Sequence, residues 1–156
     1  MAEKLWGGRF KKRLDNEFYL FQKSIQYDHK LAMYDIYHSM IHLSALVYTK
    51  VLKAEEAYKL ELELLAILKE VKAGKFKYDP LSEDIHTEIQ NRLEKKHKNI
   101  ALKLHSFRSR NDQVVFDEKY YCMTHYPDQS AVSVLKRECQ IHDLAKTSFI
   151  QMKFRK

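Results

Sequence analysis

Glycine is scarce in this chain, with three in 156 residues; proline is scarcer at two, and cysteine is limited to Cys122 and Cys139. Sandwiches and barrels consume glycine and proline at their hairpins, so an all-β architecture is poorly provided for and long helices are favoured. Two distant cysteines with no CxxC spacing make neither a disulfide framework nor a zinc knuckle. The opening Met1-Ala2-Glu3-Lys4-Leu5-Trp6 lacks the basic-then-apolar layout of a secretory signal. A reduced, cytoplasmic setting is the expectation. No apolar run reaches the length needed to cross a bilayer, because lysine and glutamate punctuate every stretch, and no membrane partner is expected.

The chain has 45% hydrophobic and 12% aromatic residues, enough for one ordinary domain with its own core. The formal charge is +7, with the excess at Lys4–Arg13, at Lys95–Arg110 and in the last twenty residues. Basic clusters of this kind attract polyanions. No RRM, KH or zinc-finger signature accompanies them, so a solvated basic surface is expected rather than a nucleic-acid interface.

Residues 1–13 carry Gly7-Gly8 and a basic run without periodicity and read as an extended arm. Asp15 is placed to cap a short helix that breaks near Lys23-Ser24. From Asp28 to Val51, one apolar row (Met33, Tyr37, Met40, Ser44, Val47, Val51) and a second (Ile41, Ala45, Tyr48, Leu52) predict a largely buried helix. Ala57, Leu60, Leu64, Leu68 and Val71 form a single stripe over 54–73. Gly74 then suits a left-handed cap, and Asp79-Pro80 blocks continuation. The two helices are expected to form an antiparallel hairpin. Ser82 is the expected N-cap of a helix reaching about Lys96, with Ile85, Ile89 and Leu93 inward. Residues 97–113 read as a loop with a short helical turn. Helical patterning resumes at Val114, is interrupted near Tyr126-Pro127-Asp128, and restarts from Ser130 to Phe149.

The chemistry concentrates in His105-Ser106-Phe107-Arg108-Ser109-Arg110-Asn111-Asp112-Gln113. A guanidinium grips a carboxylate through two parallel hydrogen bonds, and serine, asparagine and glutamine add neutral donors in other directions. The string therefore reads as a carboxylate-binding loop, with capping of the next helix by Asn111-Asp112 as the plainer reading. Glu83-Asp84-Ile85-His86-Thr87 stands at a helix start, where acidic groups complement the helix dipole. His86 suits proton transfer as well as a structural role. Ser24, between two helical segments, suits either ligand binding or capping.

Four strings together resemble argininosuccinate lyase in order and spacing. They are Leu5-Trp6-Gly7-Gly8-Arg9-Phe10; Lys23-Ser24-Ile25 with Tyr27-Asp28; Glu83-Asp84-Ile85-His86-Thr87 with Asn91-Arg92-Leu93; and Lys103-Leu104-His105 with Arg108-Ser109-Arg110-Asn111-Asp112-Gln113-Val114. The resemblance runs from residue 4 to about residue 121 and is most specific in the Arg-Ser-Arg-Asn-Asp-Gln string. It implies an all-α fold, the helical N-terminal domain of the aspartase and fumarase superfamily without the central long-helix bundle. That domain would occupy residues 1–122, followed by a divergent, partly helical tail at 123–156. It also implies cleavage of argininosuccinate to arginine and fumarate by β-elimination, in arginine biosynthesis, with no metal and no organic cofactor. Ser24, Asn111 and Arg110 would contact substrate, with Asp84 and His86 lining or supporting the site.

Elimination needs a general base and donors for the aci-carboxylate. In the family these come from a Thr-His pair in a Gly-Tyr-Thr-His-Leu-Gln segment and from a serine loop before Met-Pro-x-Lys-x-Asn. Neither segment occurs in the 156 residues, so no catalytic residue is assigned and the chain is expected to be inactive alone. Thr124-His125 lies too close to Gln113 to be the family's pair. Phe107 and Leu102 stand where the family has glycine, and a positive dihedral at either would strain the loop carrying Arg110 and Asn111. The expected partners are argininosuccinate or another small polycarboxylate, and an oligomer or a full-length lyase subunit. One alternative is a non-catalytic basic helical module that holds an anionic ligand or nucleic acid; another is an interaction protein that docks on such subunits.

Overall fold

The structure, a computed structural model, describes residues 15–125, which form helices joined by short connections with no strand among them. The elements are α1 (Asn16–Gln22), α2 (Ile25–Asp28), a 3-10 turn (His29–Leu31), α3 (Ala32–Tyr48), α4 (Ala54–Lys72), α5 (Ile85–His97), α6 (Asn99–Lys103) and α7 (Arg110–His125). The arm, the Trp6-Gly7-Gly8 string, Cys139 and the segment expected to be helical from Ser130 lie outside the described residues. The expected domain boundary at 122 falls within α7, which continues to His125.

Asp15 caps α1 as its position suggests, its carboxylate accepting from the amides of Glu17 at 2.8 Å and Phe18 at 3.3 Å. Helices α3 and α4 form the expected antiparallel pair: Lys72, at the end of α4, lies over the ring of Tyr37 in the first half of α3. The stripe on α4 is inward as read, with Leu60 and Leu64 wholly buried. Gly74 adopts φ +65. Its amide bonds to the Val71 carbonyl at 3.0 Å and that of Lys75 to Glu70 at 2.9 Å, a left-handed C-cap that closes the last turn.

The inward face of α3 differs in part from the expected one: Met33, Tyr37, Met40, Val47 and Val51 of the first row pack half-buried against the core, and Leu52 of the second is buried, but the deepest row is another. Ala32, Ile36, Leu43 and Leu46 are buried in the core, with Asp35 and Ser39 among them. Ile41 and Tyr48, from the expected second row, are 61% and 67% exposed. The bulkier methionines and tyrosines dominate the pattern, whereas the deepest row contains a small residue and two polar ones. Those polar groups are inward because α5, α7 and the turn before α7 supply partners for them.

Helix α5 begins later than expected. Its cap is Asp84, whose carboxylate accepts the Thr87 amide at 2.6 Å. Ser82 is buried instead and donates its hydroxyl to Glu88 at 2.7 Å. Glu88 also pairs with Arg92 at 2.9 Å, and Arg92 bonds to Glu70 and to the carbonyl of Lys77, tying the 75–84 connection to α4 and α5. The short helical turn expected within 97–113 is α6, but the loop ends earlier than read because Arg110, not Val114, opens α7.

Candidate functional site

The starts of α5 and α7 meet beside the first half of α3, and the residues singled out in the sequence gather around that junction. The capping carboxylate of Asp84 lies 3.4 Å from Nε of Arg110. Nη2 of Arg110 donates to the Thr87 hydroxyl at 3.2 Å and Nη1 to Oε1 of Gln113 at 3.4 Å. A guanidinium has five N–H donors, and the two hydrogen bonds engage one on each terminal nitrogen. The side chain retains 31% exposure. Asn111, next in sequence, is exposed. Ser109 and Asp112 form the N-terminal box of α7, the Asp112 carboxylate accepting from the Ser109 amide at 2.6 Å and its hydroxyl at 3.1 Å. Capping of this helix and presentation of Arg110 and Asn111 are therefore properties of the same turn.

Ser24 joins the junction indirectly. Its hydroxyl donates to Asp28 at 2.6 Å, and the other oxygen of Asp28 accepts the Ile85 amide at 3.1 Å. The amide of Ser24 itself bonds to the Glu83 carbonyl at 3.0 Å. Burial pushes the Asp28 carboxyl up from its ordinary value against the pull of the Ser24 hydrogen bond.

His86 faces inward. Its Nδ1 lies 2.9 Å from Oδ1 of Asp35 and 3.6 Å from Oδ2 of Asp117, and all three side chains are buried. Nε2 of Gln113 donates to the same Asp35 oxygen at 2.8 Å. Burial works to raise the Asp35 carboxyl, but hydrogen bonding and charge from His86, with Arg108 and Gln113 beside it, hold it down to about 2. An ionised carboxylate only accepts, so Nδ1 of His86 carries a hydrogen. Arg108 reaches Ser39 of α3 through both terminal nitrogens at 3.3 Å. His105 is pushed down to about 4 by burial and by the charges of Arg108 and Arg110, and is neutral near pH 7.

Asp35, Asp117 and Gln113, with the half-buried Arg108 beside them, thus form a platform under the partly exposed Arg110-Asn111 turn. The sequence reading missed the two acids because single aspartates on helices look like solvent-facing residues. The available signal was Asp35 standing between Tyr34 and Ile36 in an otherwise apolar stretch. Asp35, His86 and Asp117 each offer a ligand atom within 4.8 Å of the others, the group among the described residues with metal-ligand spacing. Phe107 adopts φ +63 with its ring 84% exposed, so the position where the resembled family has glycine is indeed left-handed. Leu102 lies in α6 and is 55% exposed. Thr124 and His125 close against Tyr34, whose hydroxyl is 2.6 Å from the threonine oxygen and 3.4 Å from Nδ1 of the histidine.

A sequence profile of the lyase family matches residues 8–140. The chain belongs to the lyase family. Among its relatives, argininosuccinate lyase of Streptococcus suis (strain 05ZYH33) is 43% identical over 120 residues, covering 77% of this chain and 26% of the relative. Argininosuccinate lyase of Carboxydothermus hydrogenoformans is 40% identical over 137 residues, covering 88% of this chain and 29% of the relative. That of Aquifex aeolicus is 42% identical over 119 residues, or 76% and 26%. This lyase-family chain therefore spans about a quarter of the length of the relatives it matches. Its helical architecture is that of an N-terminal domain of the aspartase and fumarase type. No helix among the described residues is long and apolar enough to cross a membrane.

Proposed function

We propose that the chain serves argininosuccinate cleavage, in arginine biosynthesis, by holding the carboxylates of argininosuccinate or a similar small polycarboxylate, and that the 156 residues alone do not release product. The supporting observation is the anchored guanidinium of Arg110. Asp84, Thr87 and Gln113 fix its plane while leaving it partly exposed beside Asn111. A fixed, partly exposed guanidinium binds a carboxylate with less loss of side-chain freedom than a mobile one. In this reading Arg110 and Asn111 contact the ligand. Ser24 and Asp84 set the rim of the site, and His86 supports it from below.

Calorimetric titration of the purified chain with argininosuccinate tests the assignment. Arg110→Ala is expected to weaken binding by about 10- to 100-fold, the range of a hydrogen bond to a charged group. Equal affinity in the variant would remove Arg110 from the site. A second reading, a non-catalytic module that docks on full-length lyase subunits, is favoured by the exposed apolar side chains Ile41, Tyr48, Tyr58 and Leu62 on α3 and α4. Co-elution with a full-length lyase on a sizing column supports it, and separate elution at micromolar concentration counts against it.

A further inference from the structure

Two buried carboxyl groups, Asp35 and Asp117, lie close to Arg108 beneath Arg110. Arg108 contributes one permanent positive charge, and Asp35, ionised and hydrogen-bonded, answers it. Asp117 has no such arrangement. It is wholly buried, and neither carboxylate oxygen has a hydrogen-bond partner among the described residues. His86 lies 3.6 Å away and is already committed to Asp35 at 2.9 Å. A buried, ionised carboxylate without donors is the costliest state available to this side chain. One proton on Asp117 removes that cost and leaves Asp35 and Arg108 as a balanced pair. A divalent cation shared by Asp35, His86 and Asp117 would leave a surplus of one positive charge, which speaks against reading the group as a metal site.

We propose that Asp117 is held as the neutral carboxylic acid near pH 7, and that its ionisation loosens the first turns of α7, with Arg110 and Asn111, from α3 and α5. The path is short. Gln113, one turn before Asp117, donates to Asp35 at 2.8 Å and accepts from Arg110 at 3.4 Å, so charge placed at Asp117 disturbs the contact that seats Arg110. The inference concerns the seating of the turn and stands whether or not the turn binds argininosuccinate.

The charged and titratable groups facing Asp117 come from every side: Asp35 on α3, Asp28 on α2, His86 on α5, Arg108 in the preceding turn and Glu118 on α7 itself. Burial is the largest influence and raises the carboxyl; Asp35 raises it further, Arg108 opposes, and Glu118 and Asp28 add to the rise, placing it at about 9. Because the folded value lies above the unfolded one, the folded state binds the extra proton between the two. This contribution to stability is complete below the unfolded value and is lost as pH rises toward about 9. His105, depressed from 6.5 to about 4, acts oppositely, losing stability as pH falls through that range. Above pH 6.5 the loss from Asp117 is no longer offset by His105.

Infrared spectra of the full chain at pH 7, together with urea midpoints across pH 6.5 to 9 for wild type and Asp117→Asn, test the proposal. The wild type is expected to show a carboxylic-acid carbonyl band at pH 7 that fades toward alkaline pH and is absent from the variant. Its urea midpoint should fall as pH rises, while that of the variant, whose amide mimics the neutral acid, stays level. No acid band at pH 7 would place the proton elsewhere and overturn the proposal. So would an Asp117→Asn chain that keeps the alkaline slope, or one that fails to fold at pH 7, since the site would then require the charge. A rise in melting temperature with added Zn²⁺ or Mg²⁺, seen only in the wild type, would make the cluster a cation site and overturn it as well.

Discussion

Phe107 holds a left-handed backbone at φ +63 while its ring is 84% exposed, so its strain is offset by little burial. Phe107→Gly is therefore expected to raise stability by about 1 kcal/mol, measured by urea unfolding; a loss would show that the ring makes contacts worth more than the strain. Asp35 is the opposite case. Asp35→Ala leaves the His86 N–H and the Gln113 amide without their shared acceptor and Arg108 without its counter-charge. A loss of about 3–5 kcal/mol is expected, the range for breaking a buried ion pair, and a loss below 1 kcal/mol would mean that the pair contributes little. At this scale the sequence was legible where a residue type carries its chemistry openly, as in Arg110-Asn111. It was illegible where the environment creates the chemistry. Asp35 and Asp117 are ordinary aspartates in the sequence, and only the meeting of α3, α5 and α7 drives one down to about 2 and the other up to about 9.

Helix ends show the same division. Gly74 announced its left-handed cap, whereas α3 closes in the same way with Lys50 at φ +60, the amide of Val51 bonding to the Leu46 carbonyl at 2.9 Å and that of Lys50 to Val47 at 3.0 Å. Nothing in a lysine signals such a cap. Lys50→Gly is expected to stabilise the chain by about 1 kcal/mol, read as a higher urea midpoint; a lower midpoint would show that the lysine side chain makes compensating contacts. The start of α5 was misplaced by two residues because Ser82 and Asp84 are both good caps. The choice fell to Asp84 because Ser82 is drawn inward by Glu88. Asp84→Ala removes both the cap and the anchor of Arg110, so it should cost about 1–2 kcal/mol of stability and also weaken argininosuccinate binding. A variant weakened in one respect and not the other would separate roles that the structure joins in one carboxylate.

Across the whole molecule, family and helical class were readable because four ordered strings survive within a quarter-length match to the relatives. The deepest row of α3 was not, because it includes Asp35 and Ser39, whose burial is decided by the neighbouring elements. We propose that these residues hold a carboxylate ligand on a polar platform without supplying the base and the aci-carboxylate donors that elimination requires. Fumarate release from argininosuccinate, measured on the purified 156-residue chain made in a host without its own lyase, tests this most directly. Release no greater than in the no-protein control is expected, from a chain shown by circular dichroism to be helical. Release above the control, lost on mutation of Thr124 or His125, would contradict it and make the Tyr34-Thr124-His125 cluster the place to look for the base.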